Sequence, residues 1–537
     1  MRPFPEAPLY AERGGLLKRR RVSSVLQPRL TWRYILSVIV VFYVLYCYLF
    51  SLPLFASPLP MYSGPYPVGS VDLESPVSPP RVVETTRFKN SHENAFELQT
   101  VLFTLYYPAA HGESKHAKKH HWISRPISVT AKGYAKFAHI SNRITNAIFT
   151  GALRIVAGGV KIPAKVDEPL AELAPPVASH PDARQSQELQ KVASIEIDGH
   201  PIIVFSHGMA SSRTDYTHYA GELASRGFIV AMIEHRDGSC PGSVIKRPGE
   251  PDEAKFTFRR SEVETVDGEE LEADDFNRVQ LNFRQAEIEE VVRVLRQIND
   301  GEGTKISKQN LRKEGKELDE WTGRLNVDEM IMAGHSFGAT GALQALKDGP
   351  TKERPFIGAI VLDPGKQSGR LNNDVRVPLL IVHSNSWSSK HSIFYGRAHF
   401  DVVRDLVEEN NERGNPSWFM TSLGTSHPSV TDAPILEPTL LSWTTGAKID
   451  VYEGLRQYVH LSEDFLWFLK NGEKRNLLAE QAEFPEYDAG KGFGMWKPGQ
   501  GDNEKEGGQW WDWRKYWQVH VSPNKTQAPG VLEKQEL

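Results

Sequence analysis

The pentapeptide Gly334-His335-Ser336-Phe337-Gly338 is the segment of this 537-residue chain whose residue types and spacing most directly suggest chemistry. It follows the apolar run Met330 to Ala333 and opens a helical pattern through Ala339, Ala342 and Leu346. A serine at a tight strand-to-helix turn presents its hydroxyl as a nucleophile, and the helix N-terminus adds positive partial charge for a developing oxyanion. Gly334 and Gly338 suit such a turn, because a β-carbon beside so sharp a bend would clash. The chemistry expected of Ser336 is acyl transfer.

Acyl transfer also requires two backbone donors, a base and an acid. In the nucleophile elbow of α/β-hydrolases one donor is the amide after the serine, here Phe337, and the other follows an earlier strand. Ser206-His207-Gly208-Met209 follows the apolar run PIIVF, so the Met209 amide is the second candidate and His207 belongs to that loop. Acid and base then follow the serine in that order. Asp363 ends the run FIGAIVLD at a carboxyl edge, where catalytic side chains gather in open α/β sheets, whereas Asp374, Asp401 and Asp405 end no such strand. His383, His391, His399, His427, His460 and His520 all follow Asp363. His427 lies in the polar loop Gly424 to Pro428 past a strand at 418–422, while His383 ends a strand and reads as structural. The residues alone leave the base open among these.

The elements around these residues alternate. Short apolar runs at 201–205, 228–233, 330–333, 356–362 and 378–382 read as buried strands, and helical spacing covers 216–226 and 276–298. Strands alternating with helices predict an α/β fold with a doubly wound, mostly parallel sheet. A further strand is expected at 98–107. Surface insertions are expected at His111 to His121, at 166–190 and in the acidic stretch 250–275. Four histidines in the first insert raise a metal site, but without Cys or a paired carboxylate in the sequence nearby it reads as a solvated loop.

Residues 34–52 carry no charge over about 19 positions, close to the roughly 20 of a membrane-spanning helix. Eight Arg and Lys precede them against two Glu, which predicts a cytosolic N-terminus and a lumenal or extracellular remainder. A cleaved signal peptide has a shorter apolar core, and a mitochondrial presequence fits neither the span nor the early glutamates. The sequon Asn524-Lys525-Thr526 and the ending Lys534-Gln535-Glu536-Leu537, one residue from a retrieval signal, agree with residence in the endoplasmic reticulum. The net charge of −4 gives no reason to expect a nucleic-acid partner. Cys47 and Cys240 lie in unlike surroundings, so no disulfide is expected.

Several segments together resemble the platelet-activating-factor acetylhydrolase family of plasma and type II intracellular lipases. They are Gly64 to Gly69 (GPYPVG), Val204 to Met209 (VFSHGM), Leu223 to Ser239 (LASRGFIVAMIEHRDGS), Ala333 to Thr340 (AGHSFGAT), Ile360 to Asp363 and Gly424 to Asp432 (GTSHPSVTD), in order over residues 60 to 470. The EHRD segment is telling, since esterase chemistry in general does not demand it. The resemblance implies a triad of Ser336, Asp363 and His427 and an oxyanion hole of Met209 and Phe337. It also implies a calcium-independent phospholipase A2 activity, with no cofactor, releasing short or oxidised sn-2 acyl groups from phospholipids. The N-terminal run, the inserts and the tail depart from that pattern, as does Pro364-Gly365 where an aromatic would follow the acid.

The expected organisation is a basic cytosolic tail (1–33), a transmembrane anchor (34–52), a Pro-rich stalk and domain entry (53–90), an α/β-hydrolase domain (91–475) and a Trp-rich extension (476–537). Trp496, Trp510, Trp511, Trp513 and Trp517 make that extension either a packed appendage or a lipid contact. The rival activities are a general carboxylesterase or serine peptidase on the same fold, and an inactive membrane-anchored interaction protein.

Overall fold

The computed structural model describes residues 31–49, 54–111, 118–172, 199–438, 444–490 and 513–524. The chain divides into two units, Met1–Leu52 and Pro53–Leu537. In the first, α1 (Trp32–Leu49) is an 18-residue helix. It takes in Arg33 and would rise about 27 Å, against a hydrocarbon core of about 30 Å. Among the described residues no helix is long and apolar enough to cross a membrane. The helix thus starts at Trp32, two residues before the expected uncharged span.

The second unit is organised by apolar strands that alternate two buried faces. Its strands are β1 (Val68–Phe88), β2 (Asn94–Pro108), β3 (Lys165–Val166), β4 (Ile202–Ser206), β5 (Ile229–Ile233), β6 (Gly242–Ile245), β7 (Glu253–Phe256), β8 (Val263–Glu264), β9 (Met330–His335), β10 (Phe356–Leu362), β11 (Leu379–Ser384), β12 (Ile393–Phe394), β13 (Arg397–Ala398), β14 (Ser417–Ser422) and β15 (Trp517–Val521). The main sheet has the order β15-β14-β11-β10-β9-β4-β5-β2-β1-β3, with β8 also on β1. The six strands from β14 to β5 are parallel, and β15, β2 and β1 extend them antiparallel.

Along each central strand successive side chains enter opposite cores, the period-2 rule of a pleated strand. Ile203, Phe205, Ile331, Ala333, Ile360 and Leu362 join one, and Ile202, Val204, Met330, Met332, Ala359 and Val361 join the other. Both faces are covered, as a parallel sheet requires. On the first lie α4 (Thr217–Ala224) and α8 (Val451–Asn471), through Tyr219, Leu223, Leu455 and Phe465. On the second lie α5 (Ala273–Gln297), α6 (Phe337–Ala345) and α7 (His399–Glu412), through Val291, Leu295, Leu343 and Val403. Two further helices, α2 (Ile127–Phe137) and α3 (Arg143–Val156), occupy a stretch for which the sequence pattern gave no element.

Two expected boundaries are corrected. The domain expected to start at 91 begins earlier, inside the Pro-rich stalk and entry region, since β1 pairs with β2 from Val68 to Arg87 and buries Val71 and Leu73. The C-terminal region is not a separate extension either, because β15 adds to the edge of β14 and buries Trp517 to 1%. The acidic stretch 250–275 is partly ordered, in β7, β8 and the start of α5. Cys47 and Cys240 are free thiols. Residues 1–30, the Lys534 to Leu537 ending, Trp496, Trp510 and Trp511 lie outside the described residues.

Candidate active site

Strand register brings the chemistry together. In the ladder Ser206 pairs with Gly334, His335 with Leu362, and Leu362 with Val382, so β4, β9, β10 and β11 end nearly level. Ser336 and Asp363 are the next residues on adjacent strands, at the carboxyl edge where open α/β sheets place their sites.

Ser336 sits at φ +58°, ψ −121°, in a region that L side chains rarely adopt, between β9 and α6. Such strain costs on the order of 1–3 kcal/mol and persists only where the surroundings enforce it. The two glycines show how. A β-carbon on Gly334 would lie 2.2 Å from the Gly338 carbonyl oxygen, and one on Gly338 would lie 2.0 Å from that of Ser206. The Ser336 amide is anchored to the Leu362 carbonyl at 2.9 Å.

His427 Nε2 lies 3.0 Å from Ser336 Oγ, and its Nδ1 lies 2.8 Å from Asp363 Oδ2. The carboxylate accepts, so the proton sits on Nδ1 and Nε2 offers its lone pair to the serine hydroxyl. Asp363 is held in turn by the Ser384 amide at 2.6 Å on Oδ1 and the Ser384 hydroxyl at 2.7 Å on Oδ2. Its side chain is 4% exposed and that of His427 31%, so solvent reaches the arrangement through the imidazole. The ring of Trp387 stacks on His427 at 4.0 Å and 11°, while its Nε1 donates to the Pro364 carbonyl. The aromatic missing after the acid is therefore supplied from α-helical residues 385–389.

The loop carrying His427 is fastened at its far end by Asp432. This buried carboxylate accepts from the Thr217 and His218 amides at 2.9 Å, the Thr217 hydroxyl at 2.6 Å and Trp122 Nε1 at 3.1 Å. It thereby caps the N-terminus of α4 from a distant segment. Burial pushes its pKa up even so.

On the other side of the serine, a β-carbon on Gly208 would sit 3.1 Å from Ser336 Cβ, so the loop after β4 packs directly against the nucleophile. The Gly208 amide donates to the Tyr216 hydroxyl at 3.1 Å, and that hydroxyl lies 2.9 Å from His335 Nδ1. Burial, and then the neighbouring His427, hold His335 well below the ordinary histidine range, so it is a neutral acceptor. The amide of Met209 donates to no described residue. That of Phe337 opens α6, where the first amides have no intrahelical partner. Met209 thus follows the glycine that packs on Ser336, and Phe337 follows the serine itself.

His207 is bound into this loop as expected: its Nε2 accepts from the His235 amide at 3.0 Å and its Nδ1 lies 2.8 Å from the Gly208 carbonyl. His383 is fully buried between His399 and Phe419. Asp374, Asp401 and Asp405 pair with arginines away from His427. The buried Glu234-His235-Arg236-Asp237 segment reaches Arg213, Glu287, Glu74 and Arg284 respectively.

The reading of His111 to His121 as solvated requires correction at one residue. His120 is half-buried, with Nε2 2.9 Å from Glu314 Oε2, and Asp72 completes a cluster whose ligand-type atoms lie within 4.8 Å. The carboxylates come from residues 72 and 314, too distant in sequence to be noticed. Lys118 and Arg213 already pair with them, and His120 is raised by Asp72 and Glu314 against burial, so the cluster balances its own charge. Nor does the sequence mark Trp387, Asp432 or Tyr216 as site residues, although Asp432 closes the segment GTSHPSVTD.

The family described as platelet-activating factor acetylhydrolase, isoform II, matches residues 182–483. The guinea-pig (Cavia porcellus) platelet-activating factor acetylhydrolase is 26% identical over 334 residues, covering 62% of this chain and 61% of that protein. A putative phospholipase A2 of Schizosaccharomyces pombe is 26% identical over 447 residues, covering 76% of this chain and 91% of its own length. A ferulic acid esterase from Streptomyces cinnamoneus superposes with a TM-score of 0.46 at 16% identity, over 80% of this chain and 96% of that one. The family match spans more than half of the residues, and the chain belongs to the platelet-activating factor acetylhydrolase, isoform II, family.

Proposed function

We propose that the chain is a serine esterase that hydrolyses short or oxidised sn-2 acyl groups of phospholipids such as platelet-activating factor. The observation that carries the chemistry is the Ser336–His427–Asp363 chain at 3.0 and 2.8 Å. In this reading His427, oriented by Asp363, takes the Ser336 proton as Oγ attacks the ester carbonyl. The amides of Met209 and Phe337 stabilise the oxyanion, each contributing roughly 3–4 kcal/mol. The oxyanion collapses, the lyso-lipid alkoxide leaves with the proton from His427, and an acyl-serine remains. Water, deprotonated by the same histidine, then releases the acid. Each proton transfer runs through a side chain, so activity should need no calcium.

The phospholipid substrate rests on the family and on the relatives' names. A surface feature supports it: residues 118–165 carry nine Lys and Arg and no Asp or Glu, and α3 exposes Ile144, Ile148 and Ile155. We also propose that the apolar run around α1 anchors the chain with its catalytic unit on the lumenal side of a secretory membrane. Support comes from the basic N-terminal residues, the sequon at Asn524 and the C-terminal tetrapeptide. One experiment tests both readings. Full-length chain in sealed microsomes, with EDTA present, should hydrolyse short-acyl phospholipid and soluble p-nitrophenyl ester only after detergent opens the vesicles. Ser336→Ala should abolish both activities. Undiminished Ser336→Ala activity, or ester hydrolysis without phospholipid hydrolysis, would contradict the enzymatic reading, and full activity in sealed vesicles would contradict the orientation.

A further inference from the structure

Arg284, on α5, has no part in the reaction described, yet it is 0% exposed and touches both sides of the oxyanion site. Its Nε donates to Asp237 Oδ2 at 2.7 Å, and Nη2 donates to Ser239 Oγ at 2.6 Å. Nη1 donates to the His207 carbonyl at 2.7 Å and to Ser206 Oγ at 3.0 Å. The guanidinium carbon lies 4.2 Å from the centre of the Phe337 ring. Ionised Asp237 is the partner that makes this burial tolerable. Desolvation would push the carboxyl up, but Arg284 and Ser239 outweigh it and hold the pKa below the usual range.

Two of these contacts bear on the donors. The His207 carbonyl shares a rigid peptide plane with the Gly208 amide, one residue before Met209. The Phe337 ring belongs to the residue whose amide is the other donor. The clamp is itself braced: Ser206 Oγ lies 2.7 Å from His235 Nε2, and His235 Nδ1 lies 2.6 Å from Glu287 Oε2. Burial holds the pKa of His235 down and that of Glu287 up. The His235 amide meanwhile grips the ring of His207 from behind. A planar fork with several fixed donors can hold these groups together, and a lysine ammonium cannot reproduce that geometry.

We propose that Arg284 is a positioning residue for the oxyanion hole, setting the separation of the Met209 and Phe337 amides by clamping the His207 carbonyl and the Phe337 ring from one rigid group. The inference rests on the serine-esterase reading of Ser336. The alternative role, neutralising Asp237, would affect stability without discriminating transition state from ground state.

The test uses full-length wild type, Arg284→Lys, and the double variant Arg284→Met with Asp237→Leu. The double variant removes both charges together, so neither is left buried alone. For each, kcat and KM for a p-nitrophenyl ester are measured with the melting temperature. Affinities follow for a trifluoromethyl ketone and for its secondary-alcohol analogue. The ketone adds to Ser336: the Oγ–C bond forms, the carbonyl π pair moves to oxygen as the oxyanion, and the hydroxyl proton passes to His427. The alcohol forms no oxyanion. Loss of a well-placed oxyanion donor typically costs about 10²–10³ in kcat. Both variants are expected to lose on the order of 10²-fold in kcat with KM little changed. Ketone affinity should fall by a similar factor while alcohol affinity holds. A folded variant with wild-type kcat and ketone affinity would overturn the proposal, as would ketone and alcohol affinities falling together. Arg284→Lys decides the matter if the double variant does not fold. Failure of the wild type to take up the ketone on Ser336 would instead overturn the serine-esterase reading.

Discussion

At the scale of single residues, the site is held by groups that touch no substrate. Asp432 satisfies two amides and a hydroxyl at the start of α4 and ties down the loop that presents His427. Losing a helix cap costs about 0.5–2 kcal/mol, and leaving buried donors unpaired adds to it. Asp432→Ala should therefore lower unfolding free energy by roughly 2–3 kcal/mol in urea titration. The remaining folded protein should hydrolyse esters more slowly, because His427 is no longer held at 3.0 Å from the serine. A change below about 0.5 kcal/mol would contradict the role given to this carboxylate. The nucleophile and the acid were legible in sequence, since each follows directly on an apolar strand and backbone register does the rest. His427 was legible only with the family pattern, because a histidine in a polar loop has no periodicity to mark it. Trp387 and Arg284 could not be read at all: one lies on the short helix at 385–389 and the other on α5, and only folding brings them to the site.

At the scale of elements, the parallel strands were legible because both their faces are buried, which leaves short uninterrupted apolar runs. The strand β1 was hidden by its prolines. Pro76 is the last residue before the register shifts to Arg81, and Pro79 and Pro80 lie in the interruption, where a missing amide costs no ladder hydrogen bond. The strand β15 was obscured by the crowd of tryptophans around it, although Trp517, Val519 and Val521 alternate at period 2. The helix α3 escaped for the opposite reason. Its apolar stripe faces outward: Ile144 is 73% exposed and Ile148 61%, and none of its residues is buried. Asn142 and Thr145 close a capping box that starts it without help from the core. An outward apolar stripe in a cationic stretch suits an anionic lipid surface. Replacing both Ile144 and Ile148 by Glu should weaken binding to phosphatidylserine vesicles by roughly tenfold or more, from lost apolar burial alone. Hydrolysis of a soluble ester should be unchanged; unaltered vesicle binding would contradict a lipid-facing α3.

At the scale of the whole molecule, a strained serine is kept in place by two glycines, a level set of strand ends and a buried web of charges behind the oxyanion loop. The fold class was legible because alternating strands and helices constrain topology strongly. The limits of the catalytic unit were not, since its first long strand and its last strand lie in the regions read as stalk and extension. The central claim concerns Ser336, and active-site phosphonylation followed by peptide mass spectrometry tests it most directly. A fluorophosphonate should place one adduct on the peptide containing Ser336, with loss of fluoride, and none on Ser336→Ala. His427→Ala should slow labelling by roughly 10³-fold or more, as expected when a serine loses its general base. Folded wild-type chain that resists the probe, or carries the adduct on another serine, would contradict the account.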